Sequence, residues 1–163
     1  MRLPTFRTTL ALIGVTALFA LSLQQPAILF RRMSTAGPRN AMIPAGYVVK
    51  TGKQMALGGL LGPLLGNFAV LANPLLLVGC ILILFRRTGE AILCLALAVI
   101  FALQTFQLRV QPYHEDEGGV FLSYMIHPLT GWYCWFGSIL LALTLACVQQ
   151  WSDHRTAGDQ NPG

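Results

Sequence analysis

The densest group of side chains that could do chemistry is the run His114-Glu115-Asp116-Glu117. An imidazole beside three carboxylates has the groups that bind a metal ion or transfer a proton. Four successive residues point in different directions, however, so the run needs ligands from elsewhere in the chain to form a metal site. We interpret it as a solvated loop and expect no metal ion.

Other catalytic patterns are incomplete. Ser138 lacks the Gly-x-Ser-x-Gly turn of a hydrolase nucleophile, and Gly52-Lys53 does not fit a phosphate-binding loop. His127 alone lies near an apolar segment, so a haem held by facing histidines is not expected. The cysteines fall singly in apolar segments with no Cys-x-x-Cys pair: Cys80, Cys94, Cys134 and Cys147. We therefore predict no catalytic residue and no cofactor.

Uncharged polar residues offer a second kind of chemistry, which is transport. Gln104, Gln107 and Gln111 are spaced to share one face of a helix, where they could line a wet cleft or bond a neighbouring helix. Asn73-Pro74 interrupts an apolar segment, and the carbonyl groups that a proline frees can coordinate ions. We favour hydrogen bonding between helices and a bent helix beginning near Phe68, with the proline at the helix start as the other interpretation. A transporter or channel using the break from Asn67 to Pro74 and the glutamine stripe is the alternative function.

The segments that position these residues are membrane-like. No charged residue or histidine occurs between Lys53 and Arg86. Apolar residues make up 55% of the chain and charged residues only 10%, against roughly a quarter in soluble proteins, and the mean hydropathy is +0.61. The basic residues that give the net charge of +5 flank the apolar runs, where they indicate membrane topology rather than nucleic-acid binding.

Four apolar segments predict an all-α fold, a polytopic four-helix transmembrane bundle. Crossing about 30 Å of hydrocarbon takes about 20 helical residues, so each segment supplies one span. The predicted single transmembrane domain covers residues 1–151, with a disordered polar tail at 152–163. The predicted spans are 8–23, 68–85, 91–108 and 131–150, and the first two are joined by a loop, 24–67, in which 58–67 is an interfacial or re-entrant segment.

The first segment also resembles a cleavable signal peptide, because Arg2 and Arg7 precede an apolar run and Ala20-Leu21-Ser22 is a small-x-small site. We favour an uncleaved anchor. Orientation follows lysine and arginine near the spans, and these are almost evenly divided between the two sides. The tight turn Arg86-Arg87 and the basic N-terminus decide the prediction, which puts both termini in the cytoplasm.

Two further patterns predict helix packing and membrane depth. Small residues four apart let helices approach closely, either within the bundle or between copies of the chain. Tryptophan and tyrosine at both ends of the last span indicate the headgroup layers. For Trp132, Tyr133 and Trp135, at the start of that span, the alternative is an aromatic cage that binds a cation. The packing residues are Gly58, Gly62, Gly66, Ser138, Ala142 and Ala146, and the anchors are Trp132, Tyr133, Trp135 and Trp151.

Two sequence runs also carry a family resemblance. Leu71-Ala72-Asn73-Pro74-Leu75 and Gly131-Trp132-Tyr133-Cys134-Trp135 look like the Leu-Ala-Asn-Pro and Gly-Tyr-x-x-Trp patterns of small uncharacterised bacterial membrane proteins. The second run departs from its pattern, since Trp132 separates the glycine from the tyrosine. The resemblance implies a four-helix protein of the bacterial inner membrane and no particular activity.

The function expected from the sequence is that of a non-enzymatic membrane protein that packs into a complex. Its expected partners are the lipid bilayer and either a membrane protein or further copies of itself, and no nucleic acid. After the transporter or channel, a third alternative is an intramembrane enzyme acting on lipid or quinone, which would need His127 or His114 in a cleft beside a carboxylate such as Glu115.

Overall fold

The computed structural model describes residues 6–36, 41–58, 67–114 and 120–158. Five α-helices and an antiparallel sheet make up this part of the chain. The helices are α1 (Phe6–Gln24), α2 (Gly52–Gly58), α3 (Ala72–Leu84), α4 (Thr88–Leu103) and α5 (Thr130–Gly158), and short 3₁₀ helices at Ala69–Leu71 and Gln104–Arg109 precede α3 and follow α4. The strands are β1 (Pro26–Ser34), β2 (Ile43–Thr51), β3 (Tyr113–His114) and β4 (Phe121–Pro128).

The prediction of an all-α fold is wrong, because the chain is mixed α and β. The strands lie in the order β2-β1-β4-β3, all antiparallel, so β1 pairs with β2 on one side and with β4 on the other. β1 and β2 both lie within the segment 24–67, which was predicted to be a loop. Pro26 cannot continue the hydrogen bonding of α1, and the apolar residues that follow it pair as a strand instead of lengthening the helix.

The sheet packs against the bundle through one of its faces. Phe30 lies in register with Met125 of β4, and both side chains are buried. They form an apolar cluster with Leu108 of the second 3₁₀ helix and Trp132 of α5. Side chains of register partners share a face of the sheet, so this inner face is fixed by burial against the helices.

The helices form a second core. α1 packs on α5, α5 on α4, and α4 on α3. Ser138, Ala142 and Ala146 are fully buried on α5, and Ala142 and Ala146 belong to the same cluster as Leu95 of α4. The small face of α5 therefore lies inside this chain. Of the glycine series, Gly58 is the last residue of α2, whereas Gly62 and Gly66 lie outside the described residues.

Three helical segments are long and apolar enough to cross a membrane: Phe6–Gln24, Thr88–Arg109 and Thr130–Arg155. The helical stretch Ala69–Leu84 is apolar but shorter. At about 1.5 Å per residue it is about 24 Å long, less than the hydrocarbon core of about 30 Å. The four equivalent spans predicted from the sequence are thus three long helices and one short one.

Two helix boundaries differ from the predicted ones. α3 begins at Ala72, so Pro74 lies in its first turn and is exposed, where the missing N–H costs no helical hydrogen bond. The 3₁₀ helix Ala69–Leu71 leads directly into α3, so the whole helical stretch begins next to the predicted start near Phe68, and its α-helical part begins two residues before Pro74. The polar tail predicted from residue 152 is helical as far as Gly158, as the end of α5.

The sheet lies at one end of the bundle, and the start of α1 and the end of α5 lie at the other. α1 leads into β1 and β4 leads into α5, so the sheet extends from the ends of two helices that pack together. At the other end, Thr88 of α4 hydrogen-bonds Gln150 of α5. The tight turn before α4 is also there, with Arg86 at a φ of 59° and Arg87 paired with Glu90.

Candidate functional site

Asn67 and Asn73, the two asparagines singled out in the sequence, each accept a hydrogen bond from another residue of the chain. The indole N–H of Trp135 donates to Asn73 Oδ1 at 2.8 Å, and this partly buried bond ties α5 to the first turn of α3. Asn67 Oδ1 accepts from the backbone N–H of Ala69, the first residue of the 3₁₀ helix, at 3.0 Å. Both side chains use their oxygen to fix the entry of the chain into α3.

The glutamine stripe is only partly formed. Gln104 Oε1 accepts from the backbone N–H of Phe68 at 3.1 Å, so the structure brings this glutamine against the segment before α3. The α-helix ends at Leu103, and the chain continues as a 3₁₀ helix of different periodicity. Gln107 is exposed, and its backbone carbonyl accepts from the N–H of Gln111 at 2.8 Å. One of the three glutamines therefore meets the predicted break.

The aromatic residues at the start of α5 differ in how far they are buried. Trp132 is only 6% exposed, stacks on Phe136 with ring centroids 5.0 Å apart, and meets Phe106 edge-on at 5.2 Å. Trp135 is directed to Asn73 instead. Tyr133 and Trp151 are the exposed members of the predicted anchors. The three aromatic side chains at this end do not enclose a common cation site, because Phe136 already covers the Trp132 ring.

The ionisable and thiol groups of the described residues are dispersed. His127 is exposed on β4, in register with Leu29 of β1. Within residues 6–36, 41–58, 67–114 and 120–158, no three His, Cys, Asp or Glu side chains come together as metal ligands do. The four cysteines are free. Glu115, Asp116 and Glu117 lie outside the described residues, as do the side-chain surroundings of His114.

A cleft of about 430 Å³ opens on the side of the bundle, between α1 and the end of α3. Its lining is apolar apart from two threonines, and the hydroxyl of Thr16 donates to the backbone carbonyl of Leu12 at 2.9 Å. The lining residues are Thr9, Leu12, Ile13, Thr16, Ala17, Ala20 and Leu84. Such a surface suits lipid chains and offers no group for catalysis.

β2 is the most exposed regular segment of the described chain. It stands at the edge of the sheet, and none of its nine residues is buried, whereas β1 beside it buries Ala27, Ile28 and Phe30. Tyr47 is 71% and Val49 49% exposed. A strand at the edge of a sheet presents unpaired N–H and C=O groups, which are a template for another strand.

The face of the sheet turned away from the bundle places a cation between aromatic residues. Arg31 is exposed and lies in register with Tyr47 of β2 and with Tyr124 of β4. On the inner face, Lys50 lies 5.9 Å from the centre of the Phe30 ring and Arg32 lies 3.8 Å from that of Phe121. The four strands contain no aspartate or glutamate. The sheet is therefore a basic surface, and no described strand pairs with the outer edge of β2.

Comparisons with family models, with curated proteins and with solved structures find no match to this chain. The functional conclusion therefore rests on the surfaces and contacts described above.

Sequence reasoning missed the role of β2. The signal was present, since Tyr47, Val48 and Val49 are residue types that favour strands. They lie in the segment 24–67 that was predicted to be a loop; β2 pairs with β1, the preceding strand, whereas the other partner of β1, β4, lies far along the sequence. The edge of β2 can bind an extended segment by backbone pairing. The polar side chains of the helices, by contrast, form hydrogen bonds that join segments of the bundle.

Proposed function

We propose that this chain is a non-enzymatic membrane subunit that anchors a partner-binding sheet at one face of the bilayer. The observation that carries the proposal is β2, a nine-residue edge strand with no buried residue. Natural proteins shorten, charge or cover such edges because exposed backbone groups recruit other strands. No strand among the described residues pairs with the outer edge of β2, which is therefore suited to pair with a second protein.

The helices are the anchor in this proposal. Three segments have the length and composition to cross a membrane, and their outward side chains would face lipid. We place the protein in the bacterial inner membrane with the sheet outside and both termini in the cytoplasm. The arginines at the end opposite the sheet support this orientation, because Arg86 and Arg87 lie directly at helix ends.

The hydrogen bonds of the helical polar residues support a structural role for them. Asn73 joins α3 to α5, and Gln104 holds the segment before α3. A transporter remains the second candidate, favoured by the single contact between Gln104 and Phe68. It would need these side chains to exchange their present partners for a transported solute or ion.

Purification of the intact complex tests the proposal. The chain, tagged at its C-terminus, is solubilised from its native membrane in mild detergent and analysed by pull-down and mass spectrometry. We expect a partner at fixed stoichiometry, present equally in wild type and in a Gln104→Leu, Gln107→Leu variant. A chain that purifies alone contradicts the subunit proposal. A variant that is folded but has lost a solute flux measured with wild type in vesicles favours the transporter.

A further inference from the structure

We propose that β2 binds an extended acidic segment of a partner protein, which adds to the sheet as a fifth strand beside residues 47–50. This inference rests on the proposed function and names the chemistry of the partner. Strand addition uses the backbone groups of a sheet edge for affinity and alternate side chains for selectivity. Each of these contributions can be located on β2.

The backbone template is a short regular stretch. The pairing of β1 with β2 is irregular near Gly46, where φ is 106° and the register shifts between Arg32 and Met33. From Tyr47 to Lys50 the register with β1 advances one residue at a time. Along this stretch, alternate N–H and C=O groups point away from β1, and no described strand pairs with them.

The side chains along the stretch define the partner's composition. Tyr47 and Val49 are exposed on one face, so an added strand would bury apolar side chains against them. Lys50 stands on the other face, where a carboxylate on the added strand would lie across from it. Arg31 adds positive charge one strand further in, and Lys53 follows at the start of α2.

Charge also determines which occupant is favoured. The first acidic residue of the whole sequence is Glu90, so every charged residue in β1, β2 and α2 is basic. Two copies paired through β2 would bring their basic residues together, and like charges across strands are destabilising. An acidic segment of another protein makes the pairing favourable and raises the rate of encounter.

Peptide binding to the full-length protein tests the proposal. The protein is placed in nanodiscs of phosphatidylcholine, which carries no net charge, and the probe is a short fluorescent peptide of alternating glutamate and valine. Two control peptides match it in length: one has lysine in place of glutamate, and the other is N-methylated at alternate amides, which blocks strand pairing without changing charge. Fluorescence anisotropy gives each Kd.

We expect the acidic peptide to bind at least about tenfold more tightly than either control, and more weakly as salt increases. Lys50→Glu should reverse the preference between the acidic and the lysine peptides, while Thr144→Val, on α5 and away from the sheet, should leave it unchanged. A folded protein that binds the N-methylated peptide equally well, or none of the peptides, overturns the inference. So does light scattering that shows a dimer dissociated by Lys50→Glu, since a second copy would then occupy the edge.

Different results contradict the subunit function and the binding of an acidic strand. A native complex of fixed stoichiometry together with absent peptide binding removes only the acidic strand. A chain that is alone in its native membrane removes the subunit function, whatever the peptide does.

Discussion

Replacement of Gly131 by alanine should destabilise the fold, because this glycine lies where the sheet joins the bundle. A Cβ atom at Gly131 would lie 2.8 Å from the backbone oxygen of Gln25 and 2.9 Å from that of Pro26. The Gln25 oxygen cannot retreat without loss, since it also accepts from the N–H of Gly52 at 3.1 Å. The start of α5, the start of α2 and the beginning of β1 therefore share one close contact.

The change in the free energy of unfolding caused by Gly131→Ala combines a stabilising contribution with two destabilising ones. Alanine is favoured over glycine within a helix by about 0.5–1 kcal/mol. Overpacking against atoms that cannot rotate away costs about 1–3 kcal/mol, and weakening the Gln25–Gly52 hydrogen bond adds about 0.5–1.5 kcal/mol. We expect Gly131→Ala to lower the free energy of unfolding by about 1–3 kcal/mol. Gly137 of the same helix is the matched control, because a Cβ there meets nothing within 4 Å. Gly137→Ala should be neutral or stabilise by up to about 1 kcal/mol.

The assay is unfolding of the purified protein in one detergent, followed by the helical circular dichroism signal during heating and, separately, during titration with a denaturing detergent. Wild type, Gly131→Ala and Gly137→Ala are compared at equal protein concentration. We expect the midpoint order to be Gly137→Ala at or above wild type, and Gly131→Ala below both. A Gly131→Ala protein as stable as the Gly137→Ala protein would refute the close contact, and with it the packing of α5 against the start of β1.

Three other predictions test separate parts of the structure. Asn73→Ala removes the acceptor of the Trp135 N–H and should lower the free energy of unfolding by about 1–2 kcal/mol. In a double-mutant cycle with Trp135→Phe, the double variant should be destabilised by less than the sum of the two single variants, and strict additivity would contradict the bond. Gly79→Ala would place a Cβ 2.5 Å from the Leu95 side chain and should lower the midpoint of thermal unfolding, and an unchanged midpoint would contradict the close approach of α3 and α4. Tyr47→Cys should react with a membrane-impermeant maleimide in intact cells above the background of the native cysteines, and reaction only after permeabilisation would reverse the proposed orientation.

The helices could be predicted from the sequence because their signals are local. Charge-free apolar runs bounded by basic residues indicate where α1, α4 and α5 lie. The small face of Ser138, Ala142 and Ala146 was predicted as packing, and the structure buries it within the chain. Each of these inferences needs only the residues of one segment and the period of a helix.

The sheet could not be found in the same way. Its central pairing joins β1 to β4, and the contact between Thr35 and Val120 spans 85 positions of the sequence. The apolar residues near Phe30 were therefore assigned to the predicted loop 24–67. Trp132 illustrates the same limit, because tryptophan at the end of a span indicates the headgroup layer, whereas here the sheet and the second 3₁₀ helix cover it. In both cases the deciding neighbour is distant in sequence.

The pairing of β1 with β4 also has a consequence for synthesis. The hairpin of β1 and β2 is made early, yet β4, which pairs with the other edge of β1, is made only after α3 and α4. Until then β1 has one unpaired edge and β2 another, and incompletely paired strands of this kind are prone to aggregate. The sheet therefore cannot be completed before β4 has been made. Cells that make this protein in excess would be expected to need a chaperone that holds the hairpin during that interval.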